Sequence, residues 1–128
     1  MEETTRKRLV PGPDHPITIE PVASRVVVTA AGYVLADTAR ALKLSEANYP
    51  PVYYIPRVDV DMACLERTQH SSYCPYKGVA SYFSIEGLPA ESANAAWSYE
   101  TPFDPVILIA GHLGFYPNLV DSIELLDP

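Results

Sequence analysis

A histidine, a cysteine and a lysine fall within eight positions of one another in the stretch HSSYCPYKG, at His70, Cys74 and Lys77. The thiolate is the nucleophilic form of cysteine, and neighbouring positive charge lowers a thiol pKa from its ordinary value of about 8.5. Pro75 and Gly78 favour a tight loop that would bring His70 and Lys77 beside the sulfur. In the other interpretation Cys74 is a small buried side chain and the prolyl turn only connects two strands. Both interpretations stay open.

Metal binding is a second chemistry that these residue types allow. Cys64, His70 and Cys74 offer two sulfurs and a nitrogen, and Asp59 or His112 could complete the set. Structural zinc sites usually contain a Cys-x-x-Cys pair, which this chain lacks. No metal and no cofactor is therefore predicted.

Two carboxylates stand two positions apart in RVDVD, at Asp59 and Asp61. On a strand both would lie on one face, opposite Val58 and Val60. Neighbouring carboxylates can form an acid–base couple, although a solvated strand face has the same pattern. Asp59 also follows a strand end, where binding residues are common, and it joins Cys74 and His70 as a catalytic candidate.

Tyrosine is abundant, with nine among 128 residues. A buried tyrosine contributes an apolar ring and a hydroxyl that needs a hydrogen-bond partner. Four aromatic residues of the predicted strands would suit a pocket for a small organic ligand: Tyr54, Tyr82, Trp97 and Tyr99. Ordinary packing of a β domain explains the same residues.

The elements that must position these residues are short strands. Thirteen prolines divide the chain and argue against long helices. Ala31-Gly32 is typical of a tight hairpin, and residues 57–68 predict a short helical turn followed by a strand. The pattern predicts eight or nine strands and one or two helical turns, a mainly β fold of mostly antiparallel strands. Residues 1–15 are interpreted as a flexible, solvated tail and 16–128 as a single β domain.

Charge and hydropathy exclude several partners. The net charge of −7 makes phosphate neutralisation unfavourable, so nucleic-acid binding is not expected. The longest apolar run has eleven residues, at 106–116, and is too short to span a membrane. The first fifteen residues have no apolar signal region, and two cysteines do not make a disulfide scaffold. A cytoplasmic protein without membrane partners is expected.

Five stretches resemble, in the same order, a family of small bacterial proteins catalogued as domain of unknown function 427. They are HPITIEP, YPPVYYIPRVDVDM, HSSYCPYKGVASYF, AAWSYETP and IAGHLGFYP, from about residue 15 to the C-terminus. The resemblance implies an antiparallel β fold similar to the Mss4-like, tent-shaped group. It implies that ten residues match characteristic family positions: Tyr54, Pro56, Asp59, His70, Cys74, Lys77, Gly78, Tyr82, Trp97 and Tyr99. Cys64 departs from the aliphatic residue expected there, which argues against a role for both cysteines.

Some family members carry the label nucleotidyltransferase-like, but this chain has no phosphate-binding loop that would support it. The leading hypothesis is a binding protein for a small ligand, with an anion as one option. Tyr54, Tyr82, Trp97 and Tyr99 would line the pocket, and His70, Lys77 and Asp59 would supply polar contacts.

Two alternatives come from other classes of protein. One is a cofactor-independent hydrolase, isomerase or thiol enzyme that uses Cys74 and His70. The other is an interaction domain that forms a homodimer through its open sheet edges.

Overall fold

The computed structural model describes residues 6–127, and it is mainly β, as predicted. Within these residues, ten strands follow one another: β1 (Ile17–Pro21), β2 (Arg25–Ala30), β3 (Tyr33–Thr38), β4 (Leu42–Glu46), β5 (Val52–Tyr54), β6 (Leu65–Cys74), β7 (Gly78–Ile85), β8 (Ala96–Ser98), β9 (Gly114–Phe115) and β10 (Ser122–Leu126). Four 3₁₀ turns connect them: Arg57–Asp59, Met62–Cys64, Ala90–Ser92 and Asp104–Ile109. No helix in this part of the chain is long and apolar enough to cross a bilayer.

The strands form three antiparallel sheets. Their orders are β1-β4-β5, β10-β2-β3 and β6-β7-β8-β9. The predicted hairpin joins β2 and β3, and Ala31 and Gly32 both adopt positive φ, as a tight two-residue turn requires. A bridge between Ile55 and Leu113 connects the first sheet to the segment that precedes β9.

The sheet formed by β6–β9 separates two clusters of buried side chains. Alternation along β7 sends Phe83 and Ile85 into the first cluster, with Val26, Leu35 and residues of β2 and β3. It sends Ala80 and Tyr82 into the second, which we call the aromatic cluster: Leu44, Tyr54, Ala80, Tyr82, Trp97, Tyr99, Val106 and Ile109. Burial on both faces explains why large aromatic residues occupy consecutive positions of this strand, at Tyr82 and Phe83.

The segment before β1 differs from the solvated tail that was expected. The backbone N–H of Leu9 donates to the carbonyl of Pro75 at 2.9 Å, and the Tyr73 hydroxyl donates to the carbonyl of Lys7 at 2.6 Å. The guanidinium groups of Arg6 and Arg8 lie over the rings of Tyr73 and Phe103, at 4.8 and 4.0 Å. Residues 6–15 therefore lie against the β6–β7 turn, whereas residues 1–5 of the predicted tail are outside the described range.

Candidate functional site

The four aromatic residues predicted to line a pocket lie together in the aromatic cluster. Trp97 Nε1 donates to the Tyr54 hydroxyl at 3.2 Å, and their rings meet edge to face, with centroids 6.2 Å apart. Tyr82 and Tyr99 complete the group, and all four are buried. Burial raises the pKa of the Tyr54 and Tyr99 hydroxyls above the ordinary value, so both stay protonated at neutral pH.

The position of Trp97 depends on a glycine in the neighbouring strand. Trp97 in β8 is paired with Gly114 in β9, and the indole covers the glycine backbone. A Cβ atom at position 114 would lie 2.7 Å from the indole ring, closer than van der Waals contact permits. Gly114 therefore allows the ring to lie flat at the edge of the aromatic cluster.

A cavity of about 380 Å³ opens beside this ring, between the β4–β5 connection and the segment that follows β9. Its walls are mostly apolar or aromatic, and we call it the aromatic cavity: Tyr49, Pro50, Pro51, Val52, Tyr53, Trp97, Phe115, Tyr116, Pro117 and Ile123. The Tyr116 ring packs against Trp97 at a tilt of 40°, with ring centroids 4.5 Å apart. Among the residues that sequence reasoning assigned to a pocket, only Trp97 lines this cavity, and the others lie behind it or outside it.

Lys77 is buried beside the aromatic cluster, where a carboxylate compensates its charge. Its Nζ donates to Glu46 Oε1 at 2.5 Å, and His15 Nε2 bonds Glu46 Oε2 at 2.8 Å. The His15 ring stacks on Tyr76 at 4.0 Å. Burial raises the pKa of Glu46, but the hydrogen bonds from Lys77 and His15 outweigh it, so the net shift is downward. Sequence reasoning identified the lysine and missed both partners.

His70 and Cys74 occupy one extended strand, β6, so the loop that would fold His70 back onto the thiol is not formed. Four residues of extended strand span about 13 Å. The His70 ring lies 4.5 Å from that of Tyr82, and Cys74 packs half-buried against the aromatic cluster. The structure shows no contact between them within residues 6–127, so their catalytic role stays a prediction.

Asp59 lies in another part of the molecule. It belongs to a 3₁₀ turn, so Asp59 and Asp61 do not lie on one face of a strand. The Thr38 hydroxyl donates to Asp59 Oδ2 at 2.7 Å, and Arg40 pairs with the same carboxylate at 3.1 Å. Its recorded hydrogen bonds are therefore to β3 and the residues after it, and not to His70, Cys74 or Lys77.

A group of charged side chains around Glu100 lies on the opposite face of the β6–β9 sheet, and it was not identified from the sequence. Glu100 Oε2 accepts from Arg57 at 3.1 Å and from Arg67 at 2.6 Å, while Ser81 donates to Oε1 at 3.2 Å. Both guanidinium groups lie over Phe83. The Arg67 hydrogen bond lowers the pKa of Glu100, and burial opposes it only in part. The sequence shows the two arginines, but it does not show that both bind Glu100.

Metal ligands are not gathered anywhere in the described part of the chain. No three His, Cys, Asp or Glu side chains within residues 6–127 lie close enough to hold a metal ion. Cys64, one of the sulfurs considered, donates instead to Asp61 Oδ2 at 3.3 Å.

Comparison with known proteins gives the chain a family. No curated protein matches it at a significant level. A family model described as domain of unknown function (DUF427) matches residues 18–125, which is most of the chain and includes the aromatic cluster and Lys77. The resemblance seen in the sequence is thereby confirmed, and the chain belongs to the DUF427 family.

Proposed function

We propose that this protein binds a small, neutral and mostly apolar molecule in the aromatic cavity. The supporting observation is the cavity itself, about 380 Å³ with aromatic, proline and aliphatic walls. Ligand sites are typically concave and apolar, with a few polar groups that fix orientation. Trp97 and Tyr116 both line the cavity, so an aromatic ligand there would pack against aromatic carbon atoms.

The neutrality of the ligand is inferred from the charges nearby. An anionic ligand would need an uncompensated cation, and the ammonium group of Lys77 is already paired with Glu46. Lys77 does not line the aromatic cavity, and neither do His70 and Asp59. An apolar molecule entering this cavity removes hydrophobic surface from water without requiring an ion pair.

The two alternatives have less support. A thiol enzyme would need a base close to Cys74, and His70 lies along the same extended strand. A homodimer would use exposed sheet edges, and no contact observed within residues 6–127 supports such pairing. Both alternatives stay predictions.

Trp97 provides a direct test, because it is the single tryptophan of the chain and lines the cavity. Ethylbenzene is a suitable probe, since it is apolar, aromatic and transparent at the excitation wavelength of tryptophan. We expect a saturable shift of Trp97 emission and a rise in melting temperature with ethylbenzene concentration, because a ligand that binds only the folded state stabilises it by mass action.

Two matched variants locate the binding. Val52→Phe places a larger side chain in the cavity wall, and Val79→Phe makes the same change at an exposed position of β7. Ethylbenzene should lose its effect in Val52→Phe and keep it in Val79→Phe. No saturable response in the wild-type protein, or an equal response in both variants, would contradict the proposal.

A further inference from the structure

A second pocket adjoins the aromatic cavity, and Tyr116 lines both. The second pocket has a volume of about 330 Å³, and we call it the polar pocket: His70, Tyr82, Ala93, Asn94, Tyr116, Asn118 and Leu119. The tyrosine thus has one neighbour, Trp97, on the apolar side and another, Tyr82, on the polar side. A ligand that fills the first cavity and reaches past this ring would meet the hydrogen-bonding groups of the second.

A row of hydroxyl-bearing residues borders the polar pocket, and two of them, Tyr82 and Tyr116, line it. The Ser72 and Tyr82 hydroxyls are hydrogen-bonded at 2.8 Å, and either can be the donor. Burial, followed by the neighbouring Tyr82 hydroxyl, raises the pKa of Tyr116 to about 12. Each hydroxyl has one proton to donate and lone pairs to accept. The row can therefore donate a hydrogen bond to a ligand or accept one from it.

Two amide side chains complete the wall. The Thr68 hydroxyl donates to Asn94 Oδ1 at 2.6 Å, which leaves the NH₂ of Asn94 as the group available to donate. Asn118 lies beside it in the pocket wall. Arginine, lysine and carboxylate side chains do not line this pocket, and its one basic side chain, His70, packs its ring against Tyr82. The hydroxyl and amide groups that remain suit a neutral polar group rather than an ion.

We infer that the ligand is amphipathic. Its apolar body fills the aromatic cavity, and a neutral hydroxyl or carbonyl head passes Tyr116 into the polar pocket. There the head bonds the Tyr116 hydroxyl and the amide of Asn94 or Asn118. This inference rests on the proposed function and adds the chemical class of ligand: a phenol, alcohol or neutral carbonyl compound with a hydrophobic body.

A pair of probes separates the inference from the proposed function. Ethylbenzene has only the apolar body, and 4-ethylphenol adds one hydroxyl to it. We expect Tyr116→Phe to weaken 4-ethylphenol about threefold to tenfold, the range of one net hydrogen bond, and to leave ethylbenzene affinity within about twofold. Tyr53→Phe removes a hydroxyl from another tyrosine of the same cavity and should change neither affinity.

Nuclear magnetic resonance adds a readout of position. In the wild-type protein, 4-ethylphenol should shift the side-chain amide signals of Asn94 and Asn118, and ethylbenzene should not. Equal weakening of both probes by Tyr116→Phe, or unchanged amide signals with 4-ethylphenol bound, would overturn the inference and leave the aromatic cavity standing. If neither probe binds the wild-type protein, the proposed function fails and the inference fails with it.

Discussion

Two carboxylates on opposite sides of the β6–β9 sheet each lie between two basic side chains, in different surroundings. On the side of the aromatic cluster, Glu46 binds Lys77 and His15, and the side chains of the lysine and the glutamate are 10% and 15% exposed. On the other side, Glu100 binds Arg57 and Arg67, with exposures from 31% to 51%. The same pairing of charges is therefore mostly buried around Glu46 and partly exposed to solvent around Glu100.

This difference in burial indicates which of the two charged groups contributes more to the stability of the fold. A solvated ion pair is screened and contributes little, whereas loss of one partner from a buried pair leaves a desolvated charge behind. Glu46, Lys77 and His15 join β4, the β6–β7 turn and the segment before β1 beside the aromatic cluster. We infer that they hold the wall behind the aromatic cavity, and that the group around Glu100 contributes little to stability.

The largest effect is expected at the buried pair. Lys77→Met keeps the length of the side chain and removes its charge, so Glu46 loses its closest partner inside the protein. We expect a loss of about 3 kcal/mol in the free energy of unfolding, measured by urea denaturation. The double variant Lys77→Met/Glu46→Leu removes both charges and should recover most of that loss. A double variant as unstable as the single one would show that packing, rather than the stranded carboxylate, causes the effect.

The next effect concerns the indole that lines the cavity. Gly114→Ala adds a Cβ atom where the Trp97 ring lies, and overpacking of this kind costs about 1–3 kcal/mol. Trp97 emission should also move to longer wavelength as the ring is displaced toward water. Gly12→Ala is the control, since nothing lies within 4 Å of a Cβ atom at that position. An unchanged emission spectrum in Gly114→Ala would contradict the described contact between ring and backbone.

A smaller effect is expected from pH. The pKa of Glu46 in the folded protein lies below its unfolded value, so its contribution to stability is complete above about pH 4.5 and is lost as the pH falls further. Glu46→Gln should flatten the acid side of a plot of unfolding free energy against pH. Glu20→Gln, at an exposed position of β1, is the control and should keep the slope of the wild-type protein. The same slope in Glu46→Gln and the wild-type protein would disprove the linkage.

The smallest effect is expected in the group around Glu100. Arg67→Ala removes one of two basic partners of Glu100, and we expect less than about 1 kcal/mol, with a further decrease at high salt. Chemical denaturation at low and high ionic strength measures both. A loss as large as that of Lys77→Met would abolish the distinction between the two carboxylates.

Local patterns predicted most of the fold. The apolar runs of β2 and β3, with Ala31-Gly32 between them, identified the hairpin, and the stretch at 57–68 has the expected order, turns before β6. The arrangement into three sheets depends on distant contacts such as Ile55–Leu113, which no local pattern encodes. The likeness to the Mss4-like group stays a prediction.

The site was predicted in part, and the reason lies in sequence separation. Tyr54, Tyr82, Trp97 and Tyr99 were grouped as aromatic residues of the predicted strands, and all four lie in the aromatic cluster. His15 and Glu46 were missed because Glu46 reaches Lys77 across 31 positions and His15 reaches Glu46 across another 31. The histidine, which lies between prolines, was also interpreted as part of a tail. The aromatic cavity was missed because Tyr49–Val52 and Phe115–Pro117 form one wall only after the sheets assemble.

The most direct test of the central claim is a backbone amide titration by nuclear magnetic resonance with ethylbenzene. Binding in the aromatic cavity predicts saturable shifts at Val52, Trp97, Phe115 and Ile123, with the amides of Arg57, Arg67 and Glu100 unchanged. Shifts centred on Arg57, Arg67 and Glu100, or no saturable shift at any residue of the cavity, would contradict binding in the aromatic cavity.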